Sequence, residues 1–161
     1  MDAELYNLIK NTYQYQDRAY CPYSKFNVGA SILIKEEEHD KKYKFIGGCN
    51  VENASYGGAI CAERTAFTKA VSEGYTSGFI RIGVTGGENS DAFVSPCGIC
   101  RQFMREFVDP KKFQIVMCRA RTSKEKSIDS FEYIENYKEG SDYLIKTLEE
   151  LLPLSFGPDD L

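Results

Sequence analysis

A chain of 161 residues, 42% apolar and 27% charged, amounts to one globular domain and lies far from disordered, collagen-like or coiled-coil compositions. Twenty Lys and Arg against 24 Asp and Glu give a net charge of −4 and a pI of about 5.2, which disfavours a nucleic-acid partner, since such binders neutralise phosphates with a dense basic face. The longest uncharged stretch, residues 53–62, has ten residues, about half of the roughly 20 apolar residues a membrane span requires.

In chain order, Leu5, Leu8, Ile9 and Tyr13 recur at helical spacing and predict an amphipathic helix over 4–15. A turn at Cys21-Pro22-Tyr23-Ser24 leads into alternating Val28, Ala30, Ile32 and Ile34, a strand over 26–34. The charged run 35–44 reads as a hairpin loop, in which the lone His39 has no assigned role, and 43–50 suits the partner strand. An irregular Gly-rich segment, 53–58, precedes a predicted helix over 61–72 with Gly74 placed as its C′ residue. A strand over 79–84, a helix over 96–107 and a strand over 113–118 follow. Residues 119–142 carry eleven charges among 24 and read as a solvated, peripheral excursion, while Leu144, Leu148, Leu151 and Leu152 predict a last helix over 144–152, ended by Pro153. Strands alternating with helices imply one α/β domain over 1–161, a three-layer α/β/α sandwich with a mixed sheet.

Met1-Asp2-Ala3-Glu4 lacks the basic and apolar regions of a secretory signal, so a cytoplasmic location with reduced thiols is expected. The six cysteines, at 21, 49, 61, 97, 100 and 118, are then free, catalytic or metal-bound. Cys61-Ala62-Glu63 and Ser95-Pro96-Cys97-Gly98-Ile99-Cys100 both fall at predicted helix N-termini. There the helix dipole and unpaired N–H groups lower thiol pKa and favour the thiolate that ligates metal. Three thiols match a catalytic zinc with its fourth position open to water, whereas a structural site would want a fourth cysteine. Cys21, Cys49 and Cys118 stand apart and read as core thiols. Taken alone, Cys97-Gly98-Ile99-Cys100 also fits a thioredoxin-like redox pair, and all three thiols could be small buried hydrophobes. Neither alternative uses Glu63. A carboxylate two residues beyond a metal ligand points toward the same cavity, where it can take a proton from a metal-activated water and pass it on.

Three cysteines, a non-ligand Glu and a Pro-Cys-x-x-Cys segment together form the pattern of zinc deaminases. With them, Cys21-Pro22-Tyr23-Ser24-Lys25-Phe26, Asn50-Val51-Glu52-Asn53-Ala54, Cys61-Ala62-Glu63-Arg64-Thr65-Ala66, Pro96-Cys97-Gly98-Ile99-Cys100-Arg101-Gln102 and Leu151-Leu152-Pro153-Leu154-Ser155-Phe156-Gly157-Pro158 closely resemble the small homotetrameric cytidine deaminases over nearly the whole chain. The resemblance implies that Cys61, Cys97 and Cys100 hold one Zn²⁺ per chain and that Glu63 shuttles the proton to pyrimidine N3 while C4 is attacked, releasing ammonia from cytidine or 2′-deoxycytidine. Arg64 would offset the formal −1 of a zinc held by three thiolates.

By the same resemblance Asn50 and Glu52 bond the ribose, Phe26 packs on the base, Ala62 lines the substrate site, and Tyr56 and Phe156 reach a neighbouring subunit's site in a homotetramer. Glu52 would repel a phosphate, which favours a free nucleoside over a polynucleotide. The runner-up is a deaminase of a modified cytosine nucleoside such as blasticidin S. Residues 119–142, longer than the resemblance leads one to expect, and Ser55 with Gly57-Gly58 depart from the family pattern and put loop geometry, not the zinc chemistry, in question.

Overall fold

A computed structural model describes residues 1–36 and 43–161, so most of the charged run 35–44, His39 included, lies outside the described residues. Five strands, β1 (Val28–Lys35), β2 (Tyr43–Cys49), β3 (Phe79–Gly86), β4 (Gln114–Cys118) and β5 (Tyr143–Thr147), form one sheet in the order β2-β1-β3-β4-β5. β3 and β4 are parallel and the other neighbours antiparallel, which makes the sheet mixed as expected. The crossover between the parallel pair carries helix α3 (Gly98–Arg105), as a parallel connection requires.

Alternation along the strands sorts residues to two faces. Leu33, Val116 and Cys118 pack under α1 (Ala3–Gln16) with Leu5, Leu8, Ile9 and Tyr13, whereas Ile32, Ile34, Ile82, Ile115 and Met117 pack under α2 (Ala62–Ser72) and α3. Three layers result. Ala62, Ala66 and Ala70 give α2 a flat, fully buried face, and β2 answers with Gly48, where a Cβ would come within 2.5 Å of the Ala66 backbone nitrogen. The helix therefore lies directly on the strand backbone. Phe67 of α2 stacks on Phe107 just beyond α3, with ring centroids 5.6 Å apart, and meets Phe113 edge-on at 6.0 Å. Such pairs each add about 0.5–1.5 kcal/mol beyond their buried area and fix how α2 and α3 sit against one another.

Two expectations need correction. Residues 144–152 do not form one helix: Tyr143–Thr147 pairs along its length with β4, and only α5 (Leu148–Leu151) is helical. Tyr143 and Ile145 join the α1 face while Leu144 joins the other, an alternation that a count of leucines overlooks. Thr147 then starts α5 with a capping box, its side chain and that of Glu150 each bonding the other's backbone N–H. The excursion 119–142 is not simply solvated. It contains α4 (Ser123–Lys126) and a 3₁₀ turn (Glu132–Asn136), and it lays fully buried Ile134 and largely buried Tyr137 against α1. Three of its charges pair within the segment: Arg119 bonds both Glu125 oxygens at 2.8 Å and Asp142 at 2.9 Å.

Candidate active site

Cys61 and Cys97 are the extended N-cap residues of α2 and α3, with ψ of 155° and 165°. Cys100 lies in the first turn of α3, and its backbone N–H donates to the Cys97 sulfur at 3.4 Å. Phe67 of α2 stacks on Phe107, just after α3, and so packs the two helices together. The three sulfurs lie within 4.8 Å of one another, Cys61 and Cys97 at 3.9 Å and Cys97 and Cys100 at 3.4 Å. Zn–S bonds of about 2.3 Å set tetrahedral thiolates about 3.8 Å apart, so the donor set fits a single zinc. No disulfide joins them, and among the described residues no other such cluster is found.

The electrostatics favour a thiolate at Cys61. Hydrogen bonds from Cys100, then from Arg64 and Cys97, overcome desolvation and draw the Cys61 thiol down to about 5. Cys100, which donates to Cys61 and is buried, is pushed the other way. Arg64 brings its Nη2 to 3.6 Å from the Cys61 sulfur, the contact expected for offsetting thiolate charge. Glu63, 4% exposed, is not an ordinary solvated first-turn acid. Burial raises its carboxyl above the usual glutamate range, and that carboxyl shares a hydrogen bond with Cys100.

Asn50, Glu52 and Phe26 belong to a second, polar knot, joined through Tyr23 and Ser24. Asn50 accepts from the Val28 N–H at 2.8 Å and donates to the Phe26 carbonyl at 2.8 Å. Glu52 accepts from the N–H groups of Tyr23 and Ser24, at 3.1 and 3.2 Å, and from the Ser24 hydroxyl. Paired backbone bonds between Val51 and Ile60, 2.9 and 3.0 Å, tie this knot to the residue preceding Cys61. Phe26 is 46% exposed and its ring lies against Gly86 and Gly87, where any Cβ would collide with it or crowd it. Ala62 is buried, its methyl part of the core. Tyr56 projects from a short 3₁₀ turn (Tyr56–Gly58), 65% exposed, with its ring 6.0 Å from that of Tyr23. Phe156 is likewise exposed, its carbonyl held by the Gln102 side chain of α3 at 3.0 Å.

Of the cysteines expected in the core, Cys21 and Cys118 are buried, while Cys49 is only half-buried. Arg101 had no expected role. Its guanidinium bonds the Pro96 carbonyl at 2.7 Å, the Ser95 hydroxyl at 3.0 Å and the Leu151 carbonyl at 2.7 Å, stitching the loop before Cys97 to α5. Only its place one residue after Cys100 hints at this.

Residues 3–117 match the family described as the cytidine and deoxycytidylate deaminase zinc-binding region. A cytidine deaminase of Halalkalibacterium halodurans is 38% identical over 161 residues, covering 100% of this chain and 98% of that protein. One from Sporosarcina psychrophila is 37% identical, covering 100% and 96%. The crystal structure of the Burkholderia pseudomallei cytidine deaminase superposes with a TM-score of 0.71 at 32% identity, over 97% of this chain and 100% of that one. The matched span takes in α2, α3 and all three clustered thiols, and the fold agrees over nearly the full length. With three thiols spaced for one zinc and a buried glutamate beside them, the chain belongs to the cytidine and deoxycytidylate deaminase family.

Proposed function

We propose that this protein hydrolyses free cytidine and 2′-deoxycytidine to uridine and 2′-deoxyuridine with release of ammonia, a salvage reaction of pyrimidine nucleosides. The observation that carries the proposal is the convergence of Cys61, Cys97 and Cys100 on one point with buried Glu63 beside Cys100. Zinc held by these three thiolates would supply an acidified water and polarise its attack. Glu63, raised by burial, is suited both to accept a proton and to return one. It takes the first proton to pyrimidine N3 and carries the next to the departing amino group, so the ring nitrogen and the leaving group are both neutralised. Arg64, on the Cys61 sulfur, holds that ligand and withdraws part of the cluster's charge.

Asn50 and Glu52 are the proposed ribose contacts, Phe26 stacks on the base, and the backbone at Ala62 borders it. The carboxylate of Glu52, held below the usual range first by the Ser24 hydroxyl, supports a neutral ligand, since it would repel a 5′-phosphate or a polynucleotide chain. Tyr20, Tyr56, Ile60, Ile99 and Phe156 are all at least 45% exposed. Burial of such residues against further copies of the chain would let Tyr56 and Phe156 complete neighbouring sites of a homotetramer. Six free cysteines support a reducing compartment such as the cytoplasm. Among the described residues no helix is long and apolar enough to cross a membrane.

Uridine and ammonia production from cytidine by the purified protein, with zinc content per chain measured on the same preparation, tests the proposal. Turnover with about one zinc per chain is expected. Zinc without turnover of either nucleoside would refute the substrate assignment and direct attention to modified cytosine nucleosides such as blasticidin S.

A further inference from the structure

Between the expected base contact and the expected ribose contact stands a residue with no assigned role. The Ser24 hydroxyl donates to Glu52 Oε1 and accepts from the Phe26 N–H at 3.1 Å. Its backbone N–H donates to Glu52 Oε2 at 3.2 Å, beside that of Tyr23 at 3.1 Å. The next residue, Lys25, has φ of 59°, in the left-handed region that a side-chain-bearing residue seldom adopts. A bond from the Lys25 N–H to the Cys21 carbonyl at 3.2 Å closes the turn. Such a conformation persists only where its surroundings over-determine it, and here the surroundings are the Ser24–Glu52 bonds and the Asn50 clamp on Phe26 and Val28.

A carboxylate offers about four acceptor positions. Three on Glu52 are filled from the turn, by two N–H groups and one hydroxyl. One remains for a ligand. Glu52 is thus set to accept from a single hydroxyl in one direction, and the atom that sets it also fixes the backbone of Phe26.

We propose that Ser24 is a positioning residue for nucleoside binding, holding the Glu52 carboxylate and the Phe26 backbone in one arrangement through its hydroxyl. The proposal rests on Glu52 and Phe26 being nucleoside contacts. Ser24 itself touches neither the thiols nor Glu63 in the bonds it makes, so its loss acts on substrate binding and not on the chemical step.

Steady-state kinetics with cytidine on Ser24→Ala, Ser24→Thr, Glu52→Gln and the double variant Ser24→Ala/Glu52→Gln test this. A charge-assisted hydrogen bond at an exposed site corresponds to about tenfold in binding. Ser24→Ala should raise KM about tenfold with kcat within about twofold, and Ser24→Thr, which keeps the hydroxyl, should recover most of the loss. Because Ser24 acts in part through Glu52, the double variant should raise KM by less than the product of the two single effects. The proposal is overturned if Glu52→Gln raises KM while Ser24→Ala does not, if the two effects multiply, or if Ser24→Ala lowers kcat and the thermal midpoint together. Should Glu52→Gln itself leave KM unchanged, Glu52 is no substrate contact, and the positioning role falls with it.

Discussion

Arg119→Ala tests whether the charged segment after β4 is built into the fold. Arg119 makes three charge-assisted bonds to Glu125 and Asp142 at 2.8–2.9 Å and a fourth bond to the Ala120 carbonyl at 3.1 Å, and it lies 4.7 Å over the Tyr137 ring. Its side chain is 12% exposed, that of Glu125 13% and that of Asp142 19%. Removing one partner of a buried pair costs about 3–5 kcal/mol. Glu125 keeps donors from Thr122 and Tyr137, and Asp142 keeps the Lys138 N–H and Ser141. The lower end therefore applies: about 3 kcal/mol at pH 7, or a fall of about 6–12 °C in thermal midpoint for a chain of this size. Arg119→Lys keeps the charge but not the fork and should fall between.

The same pair fixes a pH dependence. Burial raises the Glu125 carboxyl, but bonds from Arg119 and Thr122 outweigh it and hold the group down to about 2. Asp142 is also held low, burial being outweighed by the Lys138 N–H, Ser141 and Arg119. A carboxylate depressed in the folded state contributes stability that is full above its unfolded pKa and lost as pH falls through the folded one. The stability gap between wild type and Arg119→Ala should thus be constant from pH 7 to about 5 and narrow steadily below about 4.5. Urea unfolding of both proteins at pH 7, 5 and 3 measures the gap, and acid effects on the shared thiol cluster cancel in the difference. A gap under about 1 kcal/mol at pH 7, or one of equal size at pH 3, would refute the argument.

Three other outcomes are expected. Glu63→Gln should retain zinc yet lose at least about 10²-fold in kcat, read from the deamination rate beside metal analysis; a rate near wild type would end the proposed proton shuttle. Gly48→Ala places a Cβ 2.5 Å from the backbone of Ala66, an overpacking worth about 1–3 kcal/mol that pushes α2 and Cys61 outward. Urea unfolding should show the destabilisation, and competition with a chelator should show weaker zinc retention. Removing the metal with a chelator should abolish turnover and lower the thermal midpoint, and added zinc should restore both by an amount that rises with its free concentration; a midpoint indifferent to zinc would argue against a folded-state site.

Local signals carried a large part of the fold and the candidate site. The alternation of Val28 to Ile34, the leucine stripe of the first helix and the two Cys-bearing helix starts are short-range patterns, and the structure places each within a residue or two of expectation. Cys61, Glu63, Cys97 and Cys100 were legible because metal ligation and helix capping both constrain residue type at fixed spacing. Failures came where several structures satisfy one local pattern. Leu144 and Leu148 lie at a spacing compatible with a helix, and only pairing with β4 made Tyr143–Thr147 a strand. Charge along 119–142 argued for solvent, yet Arg119, Glu125 and Asp142 meet one another across the segment and release Ile134 and Tyr137 to the core.

Sequence alone determined the candidate chemistry: three cysteines and one glutamate whose types and spacing match the zinc-deaminase pattern, at the starts of α2 and α3. Tertiary structure decided what that chemistry touches. Gly48 lets α2 lie on β2, Phe67 and Phe107 lock α2 against α3, and the two helix starts bring sulfurs 36 residues apart to 3.9 Å. The Ser24–Glu52 bond likewise spans 28 residues. Contacts of this range depend on how the sheet and helices pack, which no local periodicity encodes, whereas the ligand set depends on residue type and spacing, which the sequence states directly.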